Sequence, residues 1–185
     1  MYAVGQRVDP GHRHVQAWHP RRGRWVAGAI MGRMDERARD GYVLTADPAR
    51  IDVDRVHRWL SEESYWATGI GLDTVVRSIA GSRAYGIYAG AEQVAFARAV
   101  TDGATFAWLC DVFVDSGHRG RGLGGWLVDS ILADLSDEGV LRFVLATRDA
   151  HDVYRRSGFD ALDGAQRYME IDRRPTRASI LEQLG

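Results

Sequence analysis

Lysine is absent from this 185-residue chain, so all 24 of its basic side chains are arginines. That absence excludes a catalytic Schiff-base lysine and the lysine of a Walker phosphate loop. Cys110 is the only cysteine, which excludes an intrachain disulfide, and we expect no metal site. No uncharged apolar run reaches the roughly 18 to 20 residues of a membrane-spanning helix, so we expect a cytoplasmic protein with no membrane partner.

The composition is that of a folded domain, with 45% apolar residues, 26% charged residues and 4 prolines. Its charge is uneven, because residues 1–40 carry 8 arginines and 4 acids while the remainder carries 16 arginines and 21 acids. We therefore interpret residues 1–40 as a basic N-terminal extension, 41–172 as the folded domain and 173–185 as a C-terminal tail. The length favours one domain with an appendage.

Two short runs of alternating apolar and polar residues surround the Arg-rich turn at residues 21–24 and predict a hairpin in the extension. Trp18 and Trp25 are placed to pair across its strands. We consider Met31 and Met34 as candidate starts of translation. At the other end of the chain, Ile180, Leu181 and Leu184 predict a short capping helix.

Periodicity predicts the elements of the domain. A strand at 42–46 precedes helices at 51–60 and 72–79, a hairpin of 84–88 with 94–100, and a strand at 106–114 whose near-continuous apolar character indicates that both faces are covered. A glycine-rich loop then opens a helix, followed by a strand at 142–147, a helix at 150–157 and closing strands at 159–162 and 167–171.

The glycine-rich loop, HRGRGLGG, follows the buried strand after three residues, 115–117. Closely spaced glycines let backbone N–H groups converge, and a helix N-terminus adds about half a positive charge, so the loop suits a phosphate. The alternative is a tight strand-to-helix turn without a ligand. Gly120, Gly122 and Gly125 match the dinucleotide fingerprint, but the acidic residue expected about 20 positions on is missing, which argues against that fold.

The sequence V-F-V-x-x-x-x-R-G-R-G-L-G resembles the acetyl-CoA loop of the GNAT superfamily of N-acetyltransferases, with Arg119, Gly122 and Gly124 filling the family's Q/R-x-x-G-x-G/A element. A-x-x-x-Y-x-x-x-G-F, residues 150–159, is similar to the family's tyrosine-bearing helix. The resemblance covers about residues 41–172. It implies an α/β (α+β) fold with a mixed, mostly antiparallel central sheet flanked by helices, and acetyl-CoA as the acyl donor.

The resemblance also implies how acetyl-CoA is bound. In the family a central strand splays from its neighbour, and the exposed backbone of that strand bonds the pantetheine arm. By position, Val112, Phe113 and Val114 supply these contacts. The pyrophosphate is taken by residues of the loop: Arg119, Gly120, Arg121, Gly122, Leu123, Gly124 and Gly125. Thr147 stands where the family often has an Asn that contacts pantetheine.

Two residues are candidates for proton transfer. The resemblance implies that Tyr154 is the general acid toward the departing thiolate; the alternative is a core aromatic residue. Asp111 is a carboxylate in an apolar strand, at a position where many family members place the base that accepts the amine proton. Its alternative is a structural aspartate bonded to a neighbouring loop.

The acceptor site is expected between the first two helices. Glu62, Tyr65 and Trp66 fall in one short span, and carboxylates with aromatic faces suit a cationic amine. Ordinary helix packing explains them equally well. The expected activity is transfer of the acetyl group to a primary amine of a small molecule or peptide, and a homodimer is left open.

A non-catalytic role is the alternative function. The same scaffold could bind acyl-CoA without transfer, or contact nucleic acid through the arginines between Trp18 and Trp25. Those arginines are few and the body of the chain is acidic, so a solvated hairpin explains them better and nucleic acid is disfavoured as a partner.

Overall fold

The computed structural model describes residues 36–172, and its centre is a six-stranded sheet whose strands follow one another in chain order. The first five strands pair antiparallel, and the last pairing is parallel. This confirms the predicted mixed, mostly antiparallel sheet. The strands are β1 (Arg37–Arg39), β2 (Tyr42–Thr45), β3 (Arg83–Ala89), β4 (Glu92–Thr101), β5 (Ala107–Val114) and β6 (Phe143–Val144).

Four α-helices accompany the sheet: α1 (Val53–Arg58), α2 (Leu72–Ala80), α3 (Leu123–Asp137) and α4 (His151–Arg156). All four lie where periodicity predicts them. The Asp52 side chain starts α1 by accepting a 2.9 Å hydrogen bond from the Arg55 amide. A π-helical turn, Trp59–Glu63, extends α1 toward the segment that connects it to α2.

The sheet has a buried cluster on each face, as the continuous apolar character of its central strands predicts. On one face Phe96 and Phe113 pack with Val56, Trp59 and Leu60 of the α1 region. On the other face Ala95 and Ala97 pack with α3, through Leu127, Val128, Ile131 and Leu135. We call these the α1/α2 face and the α3 face. Side chains of β4 alternate between them with the period of two that a strand requires.

The two closing strands expected at 159–162 and 167–171 are wrong, because the structure forms no strand in either segment. A 3₁₀ turn, Ala165–Arg167, runs into the start of the second segment, and Gly158 and Gly164 have left-handed φ angles of 90° and 71°. These breaks leave pieces of only a few residues. An isolated short strand is not stable without a neighbour to satisfy its backbone.

The neighbour is missing because β6 is short. The strand expected at 142–147 is reduced to Phe143–Val144. Met169 and Ile171, which a closing strand was expected to place on the sheet, are 98% and 83% exposed. The local alternation in RYMEI is therefore not enough to form a strand here.

Strand β1 was not anticipated. It lies at 37–39, within the segment assigned to the extension, and pairs with β2 through a turn at Asp40 and Gly41, whose φ angles are 49° and 80°. The hairpin predicted around Trp18 and Trp25 and the predicted helix in 173–185 lie outside the described residues. Within residues 36–172 no helix is long and apolar enough to cross a bilayer.

Candidate active site

The parallel pair β5–β6 separates almost as soon as it forms. Its registered partners are Ala107 with Phe143 and Trp108 with Val144, after which β5 runs on to Val114 without a partner on that side. Backbone groups of a strand point alternately to its two neighbours. Some N–H and C=O groups in the second half of β5 therefore face an open gap between β5 and β6.

A β-bulge marks the point where the gap opens. Arg98 of β4 is registered with Cys110 and Phe96 with Phe113, so Asp111 and Val112 together oppose Ala97. Asp111 has a φ of 52°, a left-handed value that aspartate tolerates better than most residues. A bulge of this kind bends its strand and redirects a side chain. It brings the Asp111 carboxylate to Arg98 and Trp66, and Trp66 belongs to the α1–α2 connection.

The glycine-rich loop lies at the open end of this gap, after the 3₁₀ turn Ser116–His118 that follows β5. Gly120 and Gly122 have φ angles of 76° and 73°, so the loop depends on glycine at both positions. Gly122 is the N-cap of α3 and offers no side-chain cap. The first amides of a helix have no partner inside it. At α3 they gather with the helix dipole in one turn, an arrangement suited to an anion.

Two arginines belong to this loop, and a third lies beside it. The Arg119 side chain folds back, donating from Nε to the Val114 carbonyl at 2.9 Å and lying 5.4 Å from the centre of the Phe113 ring. Arg121 is exposed. Arg39 of β1 places Nη2 3.5 Å from the point where a Cβ on Gly122 would lie. Sequence reasoning missed Arg39, because only the tertiary fold brings β1 beside α3.

Tyr154 lies on α4, beyond the other wall of the gap. Its ring packs edge-to-face on Phe159, with the ring centres 5.9 Å apart. Burial is the main cause that raises the pKa of its phenol to about 12, and the nearby Tyr65 and Asp149 raise it in the same direction. Tyr154 and Thr147 both line a cavity of about 120 Å³ between β6 and α4. Thr147 also accepts a 3.1 Å hydrogen bond from the Ala150 amide, so its hydroxyl supports the start of α4.

Tyr65 and Trp66 connect the two walls of the gap, and we call these two residues the aromatic bridge. Trp66 donates from its indole nitrogen to Oδ1 of Asp111 at 3.2 Å, on the β5 side. On the β6 side, the Tyr65 hydroxyl accepts from the Arg148 amide at 3.1 Å and donates to Asp149 at 3.4 Å. The two rings meet edge-to-face at 5.0 Å. Glu62 is exposed in the preceding π-helical turn.

Asp111 is held from two sides. Besides the bond from Trp66, its Oδ2 lies 2.5 Å from Nε of Arg98, and the side chains of this pair are only 11% and 16% exposed. Arg98 is the second residue that sequence reasoning missed. Its charge within the apolar run VAFARAV was a sequence feature that could have indicated a functional residue. The adjacent Cys110 is half-buried, and burial raises the pKa of its thiol to about 11. A thiol with that pKa is protonated at neutral pH and is a poor nucleophile.

The structure thus brings most of the predicted site residues to one end of the sheet. The gap, the glycine-rich loop and the aromatic bridge meet beyond the C-terminal half of β5, with Asp111 on one wall and Tyr154 near the other. Within residues 36–172 no group of three or more His, Cys, Asp or Glu side chains is placed to hold a metal ion.

Comparison with known proteins relates this arrangement to a family. The model of the acetyltransferase (GNAT) family matches residues 53–159, more than half of the chain. The chain is 28% identical over 154 residues to the protein of Gibberella zeae named "Putative acetyltransferase FG08082", covering 72% of this chain and 84% of that protein.

Solved structures agree in fold. A GNAT-family protein of Xanthomonas campestris pv. campestris is 42% identical, with a TM-score of 0.68, and the match covers 71% of this chain and 92% of that one. A predicted acetyltransferase of Clostridium acetobutylicum, solved with acetyl-CoA, is 16% identical with a TM-score of 0.53, covering 71% and 94% of the two chains. The split β5–β6 pair, the glycine-rich loop and these likenesses lead to one conclusion: the chain belongs to the acetyltransferase (GNAT) family and is an acyltransferase enzyme.

Proposed function

We propose that this enzyme transfers the acetyl group of acetyl-CoA directly to a primary amine of a small molecule or peptide. The observation that carries the proposal is that the edge of β5 without a strand partner leads through the glycine-rich loop to the start of α3, which has no side-chain cap. One elongated molecule can bind to the strand edge and to the helix start at the same time. A diphosphate fits the helix start, and an amide-bearing arm fits beside a strand that lacks a partner.

The residues present fit acetyl-CoA. Amides of Gly120, Arg121, Gly122, Leu123, Gly124 and Gly125 would hold the pyrophosphate, and the Arg119 and Arg121 side chains add positive charge. A side chain on Gly120 or Gly122 would be strained at their left-handed φ angles. Backbone groups of Val112, Phe113 and Val114 would pair with the pantetheine arm, and Thr147 lies across the gap with its hydroxyl available to accept or donate a further bond. Bound in this way, acetyl-CoA supplies an activated thioester carbonyl.

The chain's own residues then have two tasks. When the amine nitrogen bonds to the carbonyl carbon and the C–S bond breaks, the sulfur leaves with the electron pair and needs a proton. Tyr154 is protonated throughout the neutral range and is the proposed donor. The amine must lose a proton in the same reaction, because only about one alkylamine in 2,500 is neutral near pH 7.

Asp111 is the proposed acceptor of that amine proton. Its carboxylate lies at the bulge where the gap opens, and it faces the aromatic bridge. To reach an amine, it exchanges the hydrogen bond from Trp66 for one from the acceptor while Arg98 continues to hold the other oxygen. Glu62, Tyr65 and Trp66 form the proposed wall of the acceptor site, with aromatic faces for the cationic amine.

Isothermal titration with acetyl-CoA tests the donor site. We expect micromolar binding by the wild-type chain and none by Gly122→Glu, because the substitution places a strained side chain and a negative charge at the phosphate loop. Gly90→Glu is the matched control: Gly90 also has a left-handed φ, of 61°, but lies in the β3–β4 turn. Equal binding by both variants, or no binding by the wild type, would refute the proposed donor site.

Acyl-CoA binding without transfer is the alternative. Catalytic transfer and binding without transfer are distinguished by incubating the wild-type chain with acetyl-CoA and a panel of amines and measuring release of the CoA thiol. Catalysis predicts thiol release that depends on the amine. Tight binding with no release above the uncatalysed rate would favour the binding module.

A further inference from the structure

Arg98 is an unexpected residue on β4. Its neighbours Ala95, Phe96, Ala97 and Ala99 are completely buried, and placing a guanidinium in such a strand is costly unless the charge is compensated. Phe96 and Arg98 are two positions apart, so Arg98 shares the α1/α2 face. It reaches the bulge of β5 below the aromatic bridge, at the acceptor side of the proposed site.

The pairing of Arg98 with Asp111 uses only part of the guanidinium. Nε donates to Oδ2 of Asp111 at 2.5 Å, and the second carboxylate oxygen is taken by Trp66. An arginine that serves only to neutralise a carboxylate commonly offers two parallel donors to it. Here the described residues bond neither Nη1 nor Nη2, and neither atom is among the buried polar atoms without a partner. Both Nη atoms therefore keep some exposed surface, and they have no hydrogen-bond partner among the described residues.

We infer that the acceptor is an amine that also carries a carboxylate, and that the outer edge of Arg98 binds this carboxylate. The inference rests on the proposed function and names its substrate class. Asp111 and Arg98 present one negative and one positive group side by side. An amino acid presents the complementary pair, its ammonium toward Asp111 and its carboxylate toward the Nη groups.

The complementary charges give the Arg98–Asp111 pair a use at this point in the sheet. An amine without a carboxylate would contact Asp111 and leave the outer edge of Arg98 without a partner. A carboxylate forms charge-assisted hydrogen bonds to the two Nη groups, and the fork of donors fits its two oxygens. These bonds also fix the distance between the amine nitrogen and the bulge.

The test compares amines that differ only in the carboxylate: phenylalanine with 2-phenylethylamine, histidine with histamine, and tyrosine with tyramine. Thiol release gives kcat/KM for each, expressed per concentration of neutral amine so that differences in amine pKa do not contribute. We expect the carboxylated member of at least one pair to be favoured about 10- to 100-fold, mainly through KM, as hydrogen bonds to a charged group imply.

Arg98→Gln should reduce that preference to near unity, while Arg77→Gln, an exposed arginine on α2, should keep it. Titration with acetyl-CoA establishes that each variant is folded. If Arg98→Gln does not fold, Arg98→Lys replaces it in the test, because lysine keeps the positive charge and lacks the fork of donors. A lysine variant that keeps the full preference would refute recognition by the guanidinium fork.

Failure of this inference is distinct from failure of the proposed function. A wild-type enzyme that acetylates both members of every pair equally, or prefers the members without a carboxylate, overturns the carboxylate site and leaves acetyl transfer standing. A preference that survives in Arg98→Gln assigns the carboxylate to another residue and also overturns the inference. A chain that binds no acetyl-CoA refutes the proposed function itself.

Discussion

At the scale of single residues, burial determines which groups keep their protons. Tyr154 and Cys110 lie on opposite sides of the gap, and burial raises the pKa values of their side chains to about 12 and about 11. Both are neutral near pH 7, so Tyr154 can act as a donor and Cys110 is poorly suited to attack. A phenol with a pKa of about 12 is a weaker acid than a thiol of about 8.5, so full proton transfer to the thiolate is uphill.

Tyr154→Phe should lower turnover about 100-fold, at the low end of general-acid effects, because the donor is poorly matched in pKa to the leaving sulfur. The ring and its contact with Phe159 remain, so the dissociation constant for acetyl-CoA should change little. Steady-state kinetics and titration measure the two quantities. Tyr168→Phe, on an exposed residue that bonds Arg142, is the control. Unchanged turnover in Tyr154→Phe would remove it from the mechanism.

The residues of the candidate site also differ in how readily their roles can be predicted from the sequence. The glycines of the loop were identified because their spacing and the following helix are local features. The charge of Arg98 within an apolar run could be seen in the sequence. Its pairing with Asp111 could not, because Asp111 lies on the neighbouring strand β5. Arg39 carried no signal, since its approach to Gly122 exists only after β1 is placed beside α3.

At the scale of elements, the aromatic bridge is the connection between two walls that share few backbone bonds. Its β6 side consists of the two hydrogen bonds of the Tyr65 hydroxyl and the stacking of Arg148 on the ring at 3.7 Å. The bridge therefore sets the position of the α1–α2 connection relative to α4. In the proposed function, this position shapes the acceptor site.

Tyr65→Phe should raise the acceptor KM about 3- to 10-fold, because each exposed hydrogen bond that it removes contributes roughly 0.5 to 1.5 kcal/mol. The affinity for acetyl-CoA should stay constant, since the glycine-rich loop is not altered. The measurement is acceptor KM at saturating acetyl-CoA, with titration as the control for folding. An acceptor KM equal to that of the wild type would show that the bridge does not shape the acceptor site.

Elements with local signals were predicted from the sequence, and those that depend on distant partners were not. The β3–β4 hairpin has a glycine turn, and the helices have apolar periodicity, so both were found. The closing strands were wrong because alternation in a five-residue segment does not reveal whether a neighbouring strand exists. The bulge at Asp111 was missed for a similar reason, since register depends on both strands.

At the scale of the whole molecule, buried phenols set the alkaline limit of stability. Burial raises the pKa of Tyr88 and Tyr154 to about 12, and raises that of Tyr85 further. In the unfolded chain these phenols ionise near pH 10. Below about pH 10 they are protonated in both states and leave the free energy of unfolding unchanged.

The free energy of unfolding should therefore fall as pH rises from about 10 to about 12, because only the unfolded chain releases these protons in that range. Urea denaturation at about pH 8, 10 and 11, with phenolate absorbance recorded in parallel, measures the effect. Tyr88→Phe should flatten the slope. A free energy of unfolding that is constant between pH 10 and 11 would contradict the prediction.

The separation of β5 from β6 is built into the register of the sheet, since only Ala107 and Trp108 of β5 have registered partners on β6. In the proposed function the pantetheine arm would lie beside β5 without displacing a strand from it, so little of the association energy would be spent on reshaping the protein. Affinity then depends mostly on contacts made rather than on contacts broken. Chain variants that change residues far from the opening should leave donor association rates unaffected, provided the two strands still diverge at Leu109.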